Sequence, residues 1–257
     1  MITSAQNPKI KDLLNLEKDS RERRARGLFV VEGRREFERA RAAGFEPVTV
    51  FIREGEPDAA QADFTVSAAV YEKIAWRGGT EGLVTVMRTR PVTLDGLKLS
   101  ERPLILVLES VEKPGNLGAV LRTADAAGAD AVLVCDPLTD LYNPNVVRAS
   151  LGALFTVPAV PCTSEEAAAW LRARGIAILT AQLQDSHPYY ETDMTRPVAL
   201  VFGTEDKGLS PFWRACSDAH IRIPMAGVMD SLNVSVSAAI LAFEAVRQRN
   251  LKSKTES

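Results

Sequence analysis

Apolar and polar positions change rhythm along the chain, and each rhythm predicts an element. Residues 4–26 put Ile10, Leu13, Leu14 and Leu16 on one side of a polar stretch, the spacing of a surface helix. Leu28–Val31 is a short apolar run read as a strand. Arg34–Ala43 returns to helical spacing and stops at Gly44. Val48–Ile52 and Phe64–Val66 read as strands, Ser67–Trp76 as a helix and Leu83–Val86 as a strand. Residues 88–103 (RTRPVTLDGLKLSERP) mix prolines, a glycine and scattered charges, which marks a linker.

Beyond it, continuous apolar runs alternate with helical patterns. Leu104–Leu108 has the character of a strand buried on both faces, and Ala131–Cys135, Ile176–Ala181 and Val198–Phe202 read as further strands. Helices are predicted over Asn116–Ala127 with Asn116 as N-cap, from Asn143-Pro144 to Phe155, over Ser164–Arg174 and near Pro211–Cys216. A last strand around Ile221 and Ile223 leads through a glycine loop to a helix capped by Ser231. Val236, Ala239, Ile240, Phe243 and Val246 form its apolar stripe. The chain therefore reads as α/β, with a small N-terminal domain (1–100) and a larger, mostly parallel-sheet domain (101–257).

Composition adds exclusions. With 46% hydrophobic and 25% charged residues the chain has the make-up of a globular protein, and no apolar run approaches the ~20 residues of a bilayer span. The N-terminus lacks the apolar core of a signal peptide. Cys135, Cys162 and Cys216 are isolated and only two histidines occur, so no zinc spacing exists. These features point to a cytoplasmic protein with no metal and no membrane attachment. The net charge of −2 hides a basic run, Lys18–Arg26, with five basic and two acidic residues. Such a run serves either as a solvated helix face or as a phosphate contact.

Three loops carry candidate chemistry. ESVEKPGNLGAVLRTA (Glu109–Ala124) places Arg122 about two turns into a helix. There a guanidinium either clamps a phosphate or carboxylate, or pairs with Asp125 on the surface. FGTEDKGLS (Phe202–Ser210) leaves a strand at Gly203, and IPMAGVMDSLNVS (Ile223–Ser235) joins the last strand to the last helix. Neither a G-x-G-x-x-G fingerprint nor a Walker lysine motif is present, which speaks against a dinucleotide enzyme or a nucleotide hydrolase.

In order and spacing these loops resemble the three motifs of the SpoU, or TrmH, branch of the SPOUT RNA methyltransferases. The matching residues are Asn116-x-Gly118-x3-Arg122-Thr123-Ala124, Gly203-x-Glu205-x2-Gly208-Leu209, and Ile223-Pro224-Met225-x5-Ser231-Leu232-Asn233-Val234-Ser235. Arg148-Ala-Ser150-x-Gly152-Ala153 resembles a helix common in that family. ITSAQNPKIK and FVVEGRRE resemble the L30e-like substrate-binding domain of its rRNA-directed members.

The resemblance implies a C-terminal trefoil-knotted α/β domain that binds S-adenosylmethionine, methyl transfer to a ribose 2′-hydroxyl, and a homodimer. It favours rRNA over tRNA as the partner. A non-catalytic RNA-binding or ribosome-assembly factor of the same fold is the reading from another class. By resemblance Arg122, Asn116, Glu205, Asn233 and Ser231 are the candidate catalytic residues. Thr180, Ala181, Gly203, Ile223, Met225 and Leu232 are the candidate cofactor contacts. Lys9, Lys11, Arg21, Arg23, Arg24 and Arg26 are the candidate RNA phosphate contacts.

Overall fold

The computed structural model describes residues 1–76, 81–204 and 206–255, with side chains described as far as residue 251. It divides into two compact units, Met1–Arg90 with Asp140–Thr156, and Pro91–Thr139 with Val157–Ser257.

The first unit holds strands β1 (Leu28–Glu32), β2 (Pro47–Arg53), β3 (Phe64–Val66) and β4 (Leu83–Arg88), ordered β1-β4-β2-β3. β4 runs antiparallel to both its neighbours, and β2 pairs with β3 in parallel. The single helix expected over 4–26 is two, Pro8–Lys18 and Ser20–Arg26. Asp19 is extended, and its carboxylate accepts from the Arg21 amide at 2.7 Å, which opens the second helix. Ile10, Leu13 and Leu16 of the first helix pack with Phe51, Tyr71 and Ile74 in one core. The segment after Asp140 joins this unit through aromatic contacts, with Phe29 4.6 Å from Tyr142 and 6.1 Å from Phe155 between ring centroids. The helix expected from Pro144 to Phe155 breaks at Leu151 and Gly152, which have φ of 50° and 89°. Two short helices result, Pro144–Ser150 and Ala153–Thr156.

The second unit is built on β5 (Leu104–Glu109), β6 (Ala131–Cys135), β7 (Ala159–Cys162), β8 (Ala177–Ala181), β9 (His187–Pro188), β10 (Val198–Phe202) and β11 (Ala219–Arg222). They form one sheet in the order β7-β6-β5-β10-β8-β11-β9, and every pairing is parallel. β5, β6 and β10 are buried throughout, as their unbroken apolar runs require. Residues Val92, Leu94, Leu97 and Leu99 of the expected linker pack against this core.

Two helix starts differ from expectation. The helix after β5 begins at Pro114, so Asn116 lies inside its first turn and is not the cap. The last helix, Val234–Thr255, is capped by Asn233 and not by Ser231. The Asn233 Oδ1 accepts from the Ser235 amide at 2.9 Å and from the Ser235 hydroxyl at 2.6 Å. Its buried side is Ala238, Leu241, Ala242 and Ala245. The expected stripe lies on the other side, with Val236 45% and Phe243 46% exposed. The far end is pinned by Arg249, whose guanidinium donates to the carbonyls of Arg102, Pro103, Met194 and Arg196. Among the described residues no helix is long and apolar enough to cross a membrane.

Candidate active site

Loops leaving neighbouring parallel strands diverge at the carboxyl edge of the sheet and leave a crevice there. In the second unit that crevice is a cavity of about 300 Å³. It is lined by Ala181 at the end of β8 and Gln182 after it, Gly203 and Thr204 after β10, and Ile223, Met225, Ser231 and Leu232 after β11.

The loop after β10 is held by its backbone. Thr204 and Gly208 exchange amide hydrogen bonds of 3.2 and 3.0 Å, and the Lys207 amide donates to the Thr204 hydroxyl at 3.1 Å. This fold-back brings Gly208 onto Gly203, where an added Cβ would stand 2.2 Å from the Gly208 carbonyl carbon and 2.4 Å from the Leu209 nitrogen. Only glycine fits at 203. Glu109, buried at the end of β5, accepts from the Ser210 amide at 2.8 Å and so ties the same loop to the sheet. Glu205 lies outside the described residues.

The first and third motifs meet directly. The Asn233 amide donates to Asn116 Oδ1 at 3.2 Å, so the cap of the last helix is joined to the first turn of the helix after β5. Arg122, further along that helix, is exposed and does not line the cavity. Thr180 does not line it either, contrary to expectation. Its side chain turns into the sheet, where the hydroxyl lies 2.7 Å from His220 Nδ1. Its strand neighbour Ala181 faces the cavity in its place.

Residues that sequence reasoning missed complete the lining. Gln182 and Arg214 both face the cavity, and both have a buried atom, Oε1 and Nε respectively, without a hydrogen-bond partner among the described residues. Buried polar atoms are satisfied in nearly all folded proteins, so an orphaned acceptor and donor in one cavity point to a ligand that meets them. Gln182 was legible as the first residue past a strand. Arg214 sits on the helix Pro211–Cys216 and left no local signal. Apolar Ile223, Met225 and Leu232, a glycine wall and two orphaned polar atoms fit a cofactor with both apolar and hydrogen-bonding parts.

The basic run of the first unit splits in two. Lys9, Lys11, Arg21 and Arg24 are exposed, and Arg26 is gripped by Asp12 at 2.5 and 3.0 Å. Arg23 is 3% exposed. Its guanidinium pairs with Asp140 at 2.6 Å and donates to the carbonyls of Leu16 and Glu17 at 2.6 and 3.0 Å. It is a buried strut with no access to an RNA phosphate, which corrects its place among the expected contacts.

Residues 103–243 match the SpoU rRNA Methylase family, and residues 7–85 match the MRM3-like substrate binding domain. The 23S rRNA (guanosine-2′-O-)-methyltransferase RlmB of Pseudomonas putida is 41% identical over 58% of this chain and 61% of its own length. The chain thus spans about three-fifths of that relative. The 23S rRNA guanosine 2′-O-methyltransferase RlmP of Bacillus subtilis is 29% identical over 94% of this chain and 97% of its own. An S-adenosylmethionine-bound rRNA methyltransferase from Sinorhizobium meliloti superposes with a TM-score of 0.87 at 30% identity, covering 96% of this chain and 97% of that one.

Proposed function

Because the chain belongs to the SpoU rRNA methylase family, we propose that it is an S-adenosylmethionine-dependent methyltransferase acting on a ribose 2′-hydroxyl of 23S rRNA. The observation that carries the reading is the convergence of separate motifs. Gly203, Ile223, Met225, Ser231 and Leu232 line one cavity, and Asn116 is hydrogen-bonded to Asn233. The rRNA-directed RlmP aligns with nearly the whole chain, the N-terminal region included, which favours rRNA over tRNA. Knotting of the cofactor-binding chain is part of the same reading, and the all-parallel sheet is consistent with it.

When bound, S-adenosylmethionine supplies a methyl group on a sulfonium, which needs no metal to react. The task of this chain is to place a hydroxyl in line with it. Ala181, Gln182, Gly203, Ile223, Met225 and Leu232 hold the cofactor. Arg122 grips a phosphate next to the target ribose, since arginine stays charged in proteins and is a poor base. Asn116 and Asn233, with Ser231 and Glu205, orient the hydroxyl and the arginine. Residues 1–90, rather than the expected 1–100, form the RNA substrate-binding domain, with Lys9, Lys11, Arg21 and Arg24 as phosphate contacts and Arg26 released to that role only if it leaves Asp12. The exposed Val236 and Phe243 on the last helix form the face of a homodimer.

The test is incubation with methyl-labelled cofactor and separated rRNA and tRNA pools, followed by mapping of the alkali-resistant position. Label in 23S rRNA at a ribose supports the reading. Label confined to tRNA changes the substrate. Stoichiometric cofactor binding without transfer to either pool makes the chain a non-catalytic factor. Arg122→Lys should keep partial activity; if it is as inactive as Arg122→Ala, the phosphate-anchor role is wrong.

A further inference from the structure

The first unit contains a second cavity, of about 460 Å³, that the methyl-transfer chemistry does not use. On its wall stands Trp76, 66% exposed, whereas the other tryptophans, Trp170 and Trp213, are 6% and 0% exposed. A tryptophan buries more apolar surface than almost any other side chain, so one left in water is informative.

Its setting is built. The guanidinium carbon of Arg148 lies 4.5 Å from the ring centroid, over one face of the indole. Arg148 is itself fixed, because its Nη2 donates to Asn145 Oδ1 at 2.8 Å and its Nη1 lies 3.7 Å from Glu32. The same Glu32 carboxylate, 6% exposed, accepts from the Trp76 amide at 3.2 Å. One buried carboxylate therefore holds both members of the stack. With one face covered by arginine and two thirds of the residue exposed, the opposite face of the indole is the open one.

We infer that this cavity receives a single unstacked base of the RNA, sandwiched against the open face of Trp76. The inference rests on the RNA methyltransferase reading. Among the described residues the lining holds three carboxylates, Glu32, Glu36 and Glu81, against two guanidiniums, Arg35 and Arg148. That balance repels a phosphate and suits a neutral heterocycle whose edge carries N–H donors. An aromatic face accepts any base, while a base inside a duplex is already stacked and cannot enter.

The experiment measures binding of a fluorescein-labelled single-stranded RNA of about ten nucleotides and of the matching RNA duplex, by anisotropy and by tryptophan emission. The other two tryptophans are buried away from a ligand, so a change in emission that disappears in Trp76→Phe reports Trp76. The single strand should quench emission, and Trp76→Ala should weaken its binding on the order of tenfold, while Trp76→Phe keeps most of the affinity. Equal affinity of the wild type and Trp76→Ala for the single strand, or equal quenching by duplex, overturns the proposal. Cofactor binding and rRNA methylation are measured on the same preparations. Unchanged RNA binding and methylation in Trp76→Ala refute the base pocket and leave the methyltransferase reading standing. Quenching by single strands in a chain that methylates no RNA supports the pocket and refutes that reading.

Discussion

The cavity at the edge of the seven-stranded sheet and the charged side of the four-stranded unit use different materials. In the former the decisive constraint is backbone: at Gly203 the Gly208 carbonyl carbon stands 2.2 Å from where a Cβ would be. In the latter the constraint is charge, and neighbouring residues of the same sign do opposite jobs. Arg24 is exposed, while Arg23, one position away, is buried on Asp140. A backbone constraint shows itself as a glycine at a motif position. A charge constraint shows itself only through burial, so the two units differ in how much of their function can be read from residue type.

The sharpest way to break this comparison is at Arg23. Replacing it by alanine leaves Asp140 buried without its partner and frees the carbonyls of Leu16 and Glu17. Breaking a buried pair costs about 3–5 kcal/mol. Arg24→Ala, on the exposed side, should stay within about 0.5 kcal/mol. Urea denaturation of both variants checks the contrast, and equal stabilities would erase the distinction between strut and contact. RNA binding gives the reverse order: Arg24→Ala should weaken it and flatten its salt dependence.

Glu17 offers the next largest effect. Burial pushes its carboxyl up from 4.5 to about 7, against the attraction of Arg148 and with added repulsion from Glu32. A carboxyl held up binds a proton in the folded state that the unfolded chain has released. Stability is therefore greatest below the unfolded value and is lost as pH rises through about 7. Asp12 and Asp58 in the same unit are held below the usual range by Arg26 and Arg34, and they act in the opposite sense at lower pH. Glu17→Gln isolates the first contribution. At pH 8 the variant should be more stable than the wild type by up to about 3 kcal/mol, and the two should converge near pH 4.5. A difference that does not change with pH would show that packing, not charge, is at work there.

On the other side of the comparison stands Gly203→Ala. The added methyl meets backbone rather than a flexible side chain, so the loop from Thr204 to Gly208 must shift. S-adenosylmethionine binding, measured by calorimetry, should weaken about a hundredfold, or about 2.8 kcal/mol. Gly128→Ala, at a helix C-cap with no atom within 4 Å of the new methyl, should leave cofactor affinity unchanged at some expense of stability. Similar affinity in both variants would mean the close approach at 203 does not shape the cavity.

What could be read in advance follows the same division. β5, β6 and β10 were legible because strands buried on both faces must be apolar at every position. β7 and β9 were missed because they are sheet edges, where short strands containing Pro161 and Pro188 are tolerated and the apolar run disappears. The last helix misled in another way. It is apolar on more than one side, and helical spacing alone selected Val236 and Phe243, whereas the helix packs on the helix after β5 and on the sheet, and its buried residues are Ala238, Leu241 and Ala242. Of the site, the motif glycine and the residues at strand ends were legible. Thr180 was misplaced because neighbouring residues in a strand face opposite ways, and the motif does not say which of Thr180 and Ala181 faces the ligand.

The smallest effect lies at Asn233, where backbone and side-chain roles meet in one residue. Its Oδ1 caps the last helix through Ser235, and its Nδ2 donates to Asn116 at 3.2 Å. Asn233→Ala removes both and should cost about 1 kcal/mol of stability, the usual worth of an N-cap. Asn233→Asp keeps the cap, and adds a negative charge where a helix N-terminus favours one, but it cannot donate to Asn116. Thermal denaturation should therefore rank Asp with the wild type and Ala below both, while methyl transfer should fall in both variants. If Asn233→Asp keeps full activity, the hydrogen bond to Asn116 is dispensable and Asn233 acts only as a cap. If Asp and Ala lose activity equally while only Ala loses stability, the side chain has a role in the site separate from holding the helix. The backbone-built unit then depends on side-chain chemistry at a point where two of its motifs touch.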